Sequence, residues 1–474
     1  MRGRIAALLA VSLVPVALVA SHPATAASNA FTPPPIKHVW IIELENKSFD
    51  AAFVQNTNTY LWKTLPSQGK LLRQYYGTGH FSLDNYISEL SGQAPNVDTQ
   101  ADCQTYTDLV GGIGSPLDAG GQVIGQGCVY PAAVKTLPNQ LTAKGLSWRG
   151  YMQDMGLDTN REEPTCGRPA SGGKPIDPSG LGGQDTTQSA TAKDQYAARH
   201  NPFVYFHAVI DDAASCKAHV VPLFHTASAG SATDLPTDLK QVSTTPAFSF
   251  ITPNLCDDAH DATCAGKNID GQNNQGGLYA ADRFLKKIVP MIQASAAYQA
   301  DGMIIVTIDE SGDTGTAAGA TACCGEPTGP NTPAPGQLGP GGGRIGTVVL
   351  SKRFVKPGTV SDVPYNHYSF LRSMEDLFRI GATTAIPGSD NAGHLGYAGQ
   401  AGLVPFGKDV YDQTVAPART TSVPPRKPTK PTGASPGLPS TGLPWAVPSL
   451  AVLALLTAAG VRRPRRGHAT RPTG

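Results

Sequence analysis

The 474-residue chain has almost no excess of either charge: 37 Lys and Arg stand against 36 Asp and Glu, a net charge of +1. A chain so balanced lacks the basic field that gathers phosphate backbones, so no nucleic acid is expected as a partner. It also lacks any Cys-x-x-Cys pair, and structural zinc is therefore not expected. No interior linker separates two apolar blocks, so residues 31–413 read as one large domain. What that stretch does hold is Cys103, Cys128, Cys166, Cys216, Cys256, Cys264, Cys323 and Cys324. An even set in an exported chain points to disulfides. Proximity favours Cys103 with Cys128, Cys166 with Cys216, and Cys256 with Cys264. Spacing alone leaves connectivity open, and the adjacent Cys323 and Cys324 form either a vicinal bridge or two separate links.

Export is read from the first 26 residues. Arg2 and Arg4 precede an apolar stretch from Ala6 to Ala20 and the small residues Ala24-Thr25-Ala26, the pattern of a cleaved signal peptide. Residues 414–437 are rich in Pro, Thr, Ser and Lys without apolar periodicity and read as an extended stalk. Residues 438–474 begin with Leu438-Pro-Ser-Thr-Gly442, continue in an apolar run from Leu443 to Val461 and end in basic residues. This resembles a Gram-positive cell-wall sorting signal, which implies cleavage after Thr441 and attachment by a sortase. A plain C-terminal membrane anchor is the alternative, since the run is long enough to span and its arginines would stay cytoplasmic. Either way the chain is expected to be secreted and held at the cell surface.

Between these ends, HVWII (His38 to Ile42), FSFIT (Phe248 to Thr252), MIIVTI (Met303 to Ile308) and IGTVVL (Ile345 to Leu350) are near-continuous apolar runs. Such runs suit strands of a parallel sheet covered on both faces. They alternate with helical periodicity: Leu278, Ala281, Leu285, Ile288 and Ile292 share one face, with a kink expected at Pro290, as do Leu371, Met374, Leu377 and Phe378. The alternation indicates an α/β sandwich. Polar clusters follow directly on the strands, LENKSFD, PNLCDDAHD and DESGDTG, where open α/β sheets bind ligands.

Glu45, Asp309 and Glu310 are candidate oxygen ligands for a hard divalent cation; equally, acids after strands can do no more than satisfy loop amides. Ser82 opens a helix whose apolar positions are Leu83, Tyr86, Ile87 and Leu90. It is either a helix cap or a nucleophile set beside free backbone amides that favour phosphate. Asn85, one turn on, is placed to donate to a phosphate oxygen.

ELENKSFD, HFSLDNYISELSG, TPNLCDDAHD, TIDESGDTG and YNHYSFLRSMEDLF occur in the order seen in the bacterial phosphoesterase family. That family includes secreted acid phosphatases, phosphatidylinositol 3-phosphatases and phospholipases C. The resemblance covers about residues 36 to 405 and implies α/β architecture of the alkaline phosphatase-like kind, a three-layer sandwich with a largely parallel central sheet. It implies a metal site from Glu45, Asn46, Ser82, Asp309 and Glu310, with Ser82 as nucleophile. His260 and His367 would lie near the phosphate or leaving group, and Asn46, Asn85 and His80 would bind substrate. The chain departs from the family's H-P-S-x-P-N pattern at Phe81 and Asp84, where prolines are expected, and Asp84 would bring negative charge toward the phosphate.

The expected function is therefore a metal-dependent phosphomonoesterase of the acid phosphatase type, using Mg, Ca or Mn, with a phosphoserine intermediate and phosphate esters, extending to phosphoinositides and other phospholipids, as substrates. A phospholipase C-type phosphodiesterase is the alternative within the family. A wall-anchored binding protein without catalysis is the alternative outside it.

Overall fold

The four apolar runs all form strands, and the computed structural model places them in a nine-stranded sheet. It describes residues 31–111, 117–225, 231, 233–312, 315–381 and 388–412. In chain order the strands are β1 (His38–Leu44), β2 (Lys70–Tyr76), β3 (Trp148–Met152), β4 (Val220–Pro222), β5 (Phe248–Thr252), β6 (Gly302–Ile308), β7 (Arg344–Leu350), β8 (Thr359–Ser361) and β9 (Tyr365–Asn366). The sheet order is β8-β2-β7-β6-β1-β5-β3-β4, with β9 also paired to β2. From β6 to β4 every pairing is parallel. The exception is β7, which runs antiparallel to both β6 and β2. This corrects the expectation that Ile345 to Leu350 joins the parallel set: an apolar run buried on both faces reads the same in either direction.

Every residue of β1 and β6 is buried, so both sheet faces are covered. Alternation sends Trp40 and Glu43 to opposite faces. Trp40 meets Tyr298 of helix α4 (Ala296–Asp301) with ring centroids 6.4 Å apart. Glu43 faces the layer of α1 (Ser82–Ser91) and α5 (His367–Leu377), which pack on one another, with α2 (Leu137–Ala143) also against α1. Helix α3 (Gly277–Ala294) packs against α4 and carries Pro290 within its span. The chain is thus a mixed α/β sandwich of three layers around a largely parallel sheet. All described residues belong to one compact unit.

Four disulfides close the loops: Cys103–Cys128, Cys166–Cys216, Cys256–Cys264 and the vicinal Cys323–Cys324. The three short-range pairings expected from proximity are therefore present. Among the described residues no helix is long and apolar enough to cross a membrane. The signal segment 1–26, the stalk 414–437 and the sorting segment 438–474 lie outside the described residues.

Candidate active site

Register brings the acids together. β1 and β6 pair in parallel from His38 opposite Gly302 to Leu44 opposite Ile308, so Glu45 and Asp309 leave the sheet side by side. β5 pairs on the other side of β1, and its exit loop folds back so that the Glu45 amide donates to the Asp258 carbonyl at 2.7 Å. The Asn46 amide donates to Asp309 Oδ1 at 2.8 Å. Asn46 holds a left-handed backbone, φ 49°, which asparagine tolerates better than most residues. Gly312 gives this turn room, because a Cβ there would stand 2.4 Å from the Asn46 carbonyl oxygen.

Ser82 reaches the same point from the first turn of α1. Its hydroxyl caps nothing: it donates to Glu45 Oε2 at 2.7 Å, while the neighbouring Leu83 amide is taken by Asp102 Oδ1 at 3.1 Å. One turn on, the Tyr86 hydroxyl donates to Glu45 Oε1. Asn46 Nδ2 donates to Glu45 Oε2 at 3.3 Å. His200 stacks on Tyr86, ring centroids 5.4 Å apart, with Nε2 3.4 Å from Glu45 Oε1 and Nδ1 3.9 Å from Asp258 Oδ2.

Of these groups Ser82 and Asn46 stand in the wall of a cavity of about 570 Å³, whose lining also includes Lys47, Arg199, His260 and Glu310, while Glu45 is fully buried and reaches it through Ser82. A larger hollow of about 680 Å³, around residues 117–121 and 388–401, holds none of the expected site residues. Lys47 and Arg199 bring positive charge to the acidic cavity; Lys47 Nζ donates to the carbonyls of Asn46 and His260, and Arg199 Nε lies 3.6 Å from Asp102 Oδ2. His260 Nδ1 lies 2.6 Å from Asp261 Oδ1, and this contact raises the imidazole pKa. The Cys256–Cys264 bridge closes the loop that carries Asp258 and His260.

Burial is the main force on the acids. It pushes Glu45, Asp309 and Glu310 well above the usual carboxylate range; Asp309 and Asp258 add to the shift of Glu45, Glu310 to that of Asp309, and Asp102 to that of Glu310. Burial likewise takes Asp258 to about 6. Carboxylates this close and this dry repel one another unless a cation or protons intervene. Asp258 Oδ2 and Asp309 Oδ2 are buried without a hydrogen-bond partner. An all-oxygen donor set with spare buried oxygens fits a hard divalent cation.

Three expected site residues stand elsewhere. The Asn85 side chain is spent on its own loop: Oδ1 accepts from the Thr78 and Gly79 amides at 2.8 and 3.1 Å, and Nδ2 donates to the Gly79 and Phe81 carbonyls at 3.0 Å each. It shapes the turn before Ser82 rather than facing the cavity. His80 is buried against Glu310 and donates from Nε2 to the Gly319 carbonyl at 2.8 Å, which makes it a support for Glu310. His367 is wholly buried at the start of α5, with Nε2 donating to the Asp309 carbonyl at 2.6 Å. Asp84 also differs from expectation. Its carboxyl is buried away from the cavity lining, and burial pushes its pKa well up, with Glu310 and Asp102 adding to the shift. Phe81, in contrast, is 44% exposed and stands in the cavity wall.

Sequence reading missed Asp258, His200, Tyr86, Arg199 and Asp102. Asp258 had a signal, lying in the same CDDAHD cluster as His260. His200 and Arg199 had none, since they sit in a single short turn far from every motif.

Residues 51–381 match the Phosphoesterase family, and the chain belongs to it. Among its relatives are a phosphate-repressible acid phosphatase of Penicillium chrysogenum, 27% identical over 279 residues, covering 58% of this chain and 48% of that protein. An acid phosphatase of Aspergillus fumigatus is 24% identical over 274 residues, covering 58% and 44%. The chain thus spans about half the length of the curated relatives it matches. Solved structures that resemble it include an alkaline phosphatase superfamily protein from Vibrio parahaemolyticus, with TM-score 0.37 and 13% identity over 73% of this chain and 67% of that one. Another is the lipoteichoic acid synthase LtaP from Listeria monocytogenes, with TM-score 0.37 and 10% identity over 72% of each chain. At those scores nothing about this chain's chemistry follows from them.

Proposed function

We propose that this chain is a metal-dependent phosphomonoesterase of the acid phosphatase type, working through a phosphorylated Ser82. The observation that carries the reading is the Ser82 hydroxyl, uncommitted to capping, standing in the cavity wall 2.7 Å from Glu45 Oε2. The kinship with acid phosphatases supports it.

Ser82 Oγ attacks phosphorus while its proton passes to Glu45, the group already holding it, and the bond to the leaving oxygen breaks in line. His260, on the cavity wall and favoured in its protonated form by Asp261, gives its proton to the departing alkoxide. Neutral His260 then takes a proton from water as that water attacks the phosphoserine, and Glu45 returns its proton to Ser82 as phosphate leaves. Lys47 and Arg199 offset phosphate charge through both steps. Glu45, Asn46, Asp258, Asp309 and Glu310 would hold the divalent cation, which when bound neutralises the carboxylates and the phosphate and acidifies the serine hydroxyl.

The phosphodiesterase reading has one observation in its favour. The exposed Phe81 ring at the cavity offers an apolar surface to a second ester group. The test is hydrolysis of p-nitrophenyl phosphate against bis-p-nitrophenyl phosphate and phosphoinositides by the purified chain, with and without chelator. The monoester should be hydrolysed best, chelator should abolish turnover, and Ser82→Ala should lower kcat by on the order of 10³ to 10⁶. Failure to release nitrophenol from either substrate under Mg, Mn or Ca would return the chain to the non-catalytic binding role. Export and sortase anchoring rest on the two terminal sequence signals and are part of the same proposal; mass spectrometry of wall-released protein ending at Thr441 checks them.

A further inference from the structure

Beneath the cavity, on the same sheet face, a second group of acceptors converges. Glu43 from β1, Glu89 from α1 and His367 from α5 each offer a ligand atom, and these atoms lie within 4.8 Å of one another. All three side chains are sealed from solvent, at 0%, 1% and 0% exposure. None of the four carboxylate oxygens accepts a hydrogen bond, and neither does His367 Nδ1 take part in one, although Nδ1 lies 2.9 Å from Glu89 Oε1. The other ring nitrogen, Nε2, donates its hydrogen to the Asp309 carbonyl at 2.6 Å, so in the neutral ring the lone pair lies on Nδ1 and faces the acids. Tyr75 packs edge-on against the imidazole, centroids 5.6 Å apart, and its buried hydroxyl also lacks a partner.

Two carboxylates and a neutral imidazole facing one another in a dry interior are short of two positive charges. One divalent cation balances them and satisfies the facing lone pairs at once. A metal-bound histidine characteristically donates its second N–H to a backbone carbonyl, as His367 does here. Mixed carboxylate and imidazole donors suit Mn²⁺ or Zn²⁺ better than Mg²⁺. We infer that Glu43, Glu89 and His367 form a second, buried divalent-metal site, distinct from the cavity cluster, that takes Mn²⁺ or Zn²⁺ during folding and braces the Asp309 end of β6. The carbonyl through which it acts belongs to a residue of the candidate active site, so the ion ties α1, α5 and the sheet together directly under that site.

The experiment is metal analysis of the purified full chain supplied with Mn²⁺ or Zn²⁺, in four forms: unaltered, Glu89→Gln, Glu45→Gln and the double variant. Glu89→Gln should lose about one equivalent of metal in either background and melt at a lower temperature, whereas Glu45→Gln should keep that equivalent. Crystals of the unaltered chain should show an anomalous peak at the metal's absorption edge between Glu43, Glu89 and His367, a readout that stands even if a variant fails to fold. Absence of that peak, or a folded Glu89→Gln chain with unchanged metal content, would overturn the inference and leave bound protons as the neutralising charge. An unaltered chain that carries this equivalent yet hydrolyses no phosphate ester would count against the cavity mechanism alone.

Discussion

Tyr86→Phe is the sharpest probe of how the nucleophile is held. Tyr86 is absent from the cavity lining, so it does not touch substrate; its hydroxyl donates to Glu45 Oε1 while Ser82 uses Oε2. Phenylalanine keeps the ring that packs on His200 and Phe250, at centroid distances of 5.4 and 5.9 Å, and deletes only that hydrogen bond. The remaining neighbour of Oε1 is His200 Nε2 at 3.4 Å, too far to replace it without movement. A hydrogen bond to a charged group contributes about 1.5 to 3 kcal/mol. If the bond serves to aim Glu45 at Ser82, its loss lowers kcat about 10- to 150-fold at about 1.4 kcal/mol per decade. KM for p-nitrophenyl phosphate should stay within about twofold, because cavity contacts are intact. Steady-state kinetics normalised to folded protein by circular dichroism separates this from instability. A variant with wild-type kcat and a lowered melting temperature would show that the Tyr86 hydroxyl supports the fold and not the serine.

Other outcomes follow from single contacts. His394 lies 3.0 Å from both Asp376 Oδ1 and Asp390 Oδ2; burial opposes its charge, but these bonds prevail and raise its pKa. Its stabilisation is therefore complete below the unfolded value near pH 6.5 and lost as pH rises through the folded one, so His394→Gln should lower the melting temperature more at about pH 5 than at about pH 9; equal losses would refute the pairing. Replacing Cys166 and Cys216 by alanine removes a bridge across 50 residues and should cost about 4 kcal/mol in urea unfolding, with an unchanged midpoint as the contrary result. Arg161 is buried and bonds Asp194 together with the carbonyls of Thr186 and Ser189. Arg161→Met should destabilise by about 3 to 5 kcal/mol, since it strands a buried carboxylate. KM should also rise, because Ser189 lines the cavity; an unaltered KM in folded protein would show that the loop holds its place without the arginine.

Much of the site was legible because its parts sit where strands and helices end. The apolar run of β1 announces a strand, and Glu45 is the second acid of the ELEN turn that leaves it. The same holds for Asp309 after β6 and for Ser82 at the head of α1. Strand β2 was not legible: Lys70, Arg73 and Gln74 interrupt its apolar positions, because it lies toward the sheet margin and is only partly covered. Side-chain direction was not legible either. Asn85 and His367 keep the spacing expected of site residues, yet one bonds back to its own loop and the other turns inward beneath Asp309.

The sequence by itself determined most of the elements: buried strands from continuous apolarity, helices from their apolar faces, and acids and serine at element ends; for the disulfides it favoured the short-range pairs without fixing them. These are local properties, set by neighbours within a turn or a strand. Only the tertiary structure decided the direction of β7, the pairing that sets Glu45 beside Asp309, the meeting of Asp258 and His200 at Glu45, and the place of Arg199 in the cavity wall with Ser82. It also decided that Asp84 is a buried acid with a raised pKa, set away from the cavity lining, and that Glu43, Glu89 and His367 face one another. The reason is the same in each case. Burial and long-range register set the charge and aim of a side chain, and neither leaves a mark on the residues adjacent in sequence.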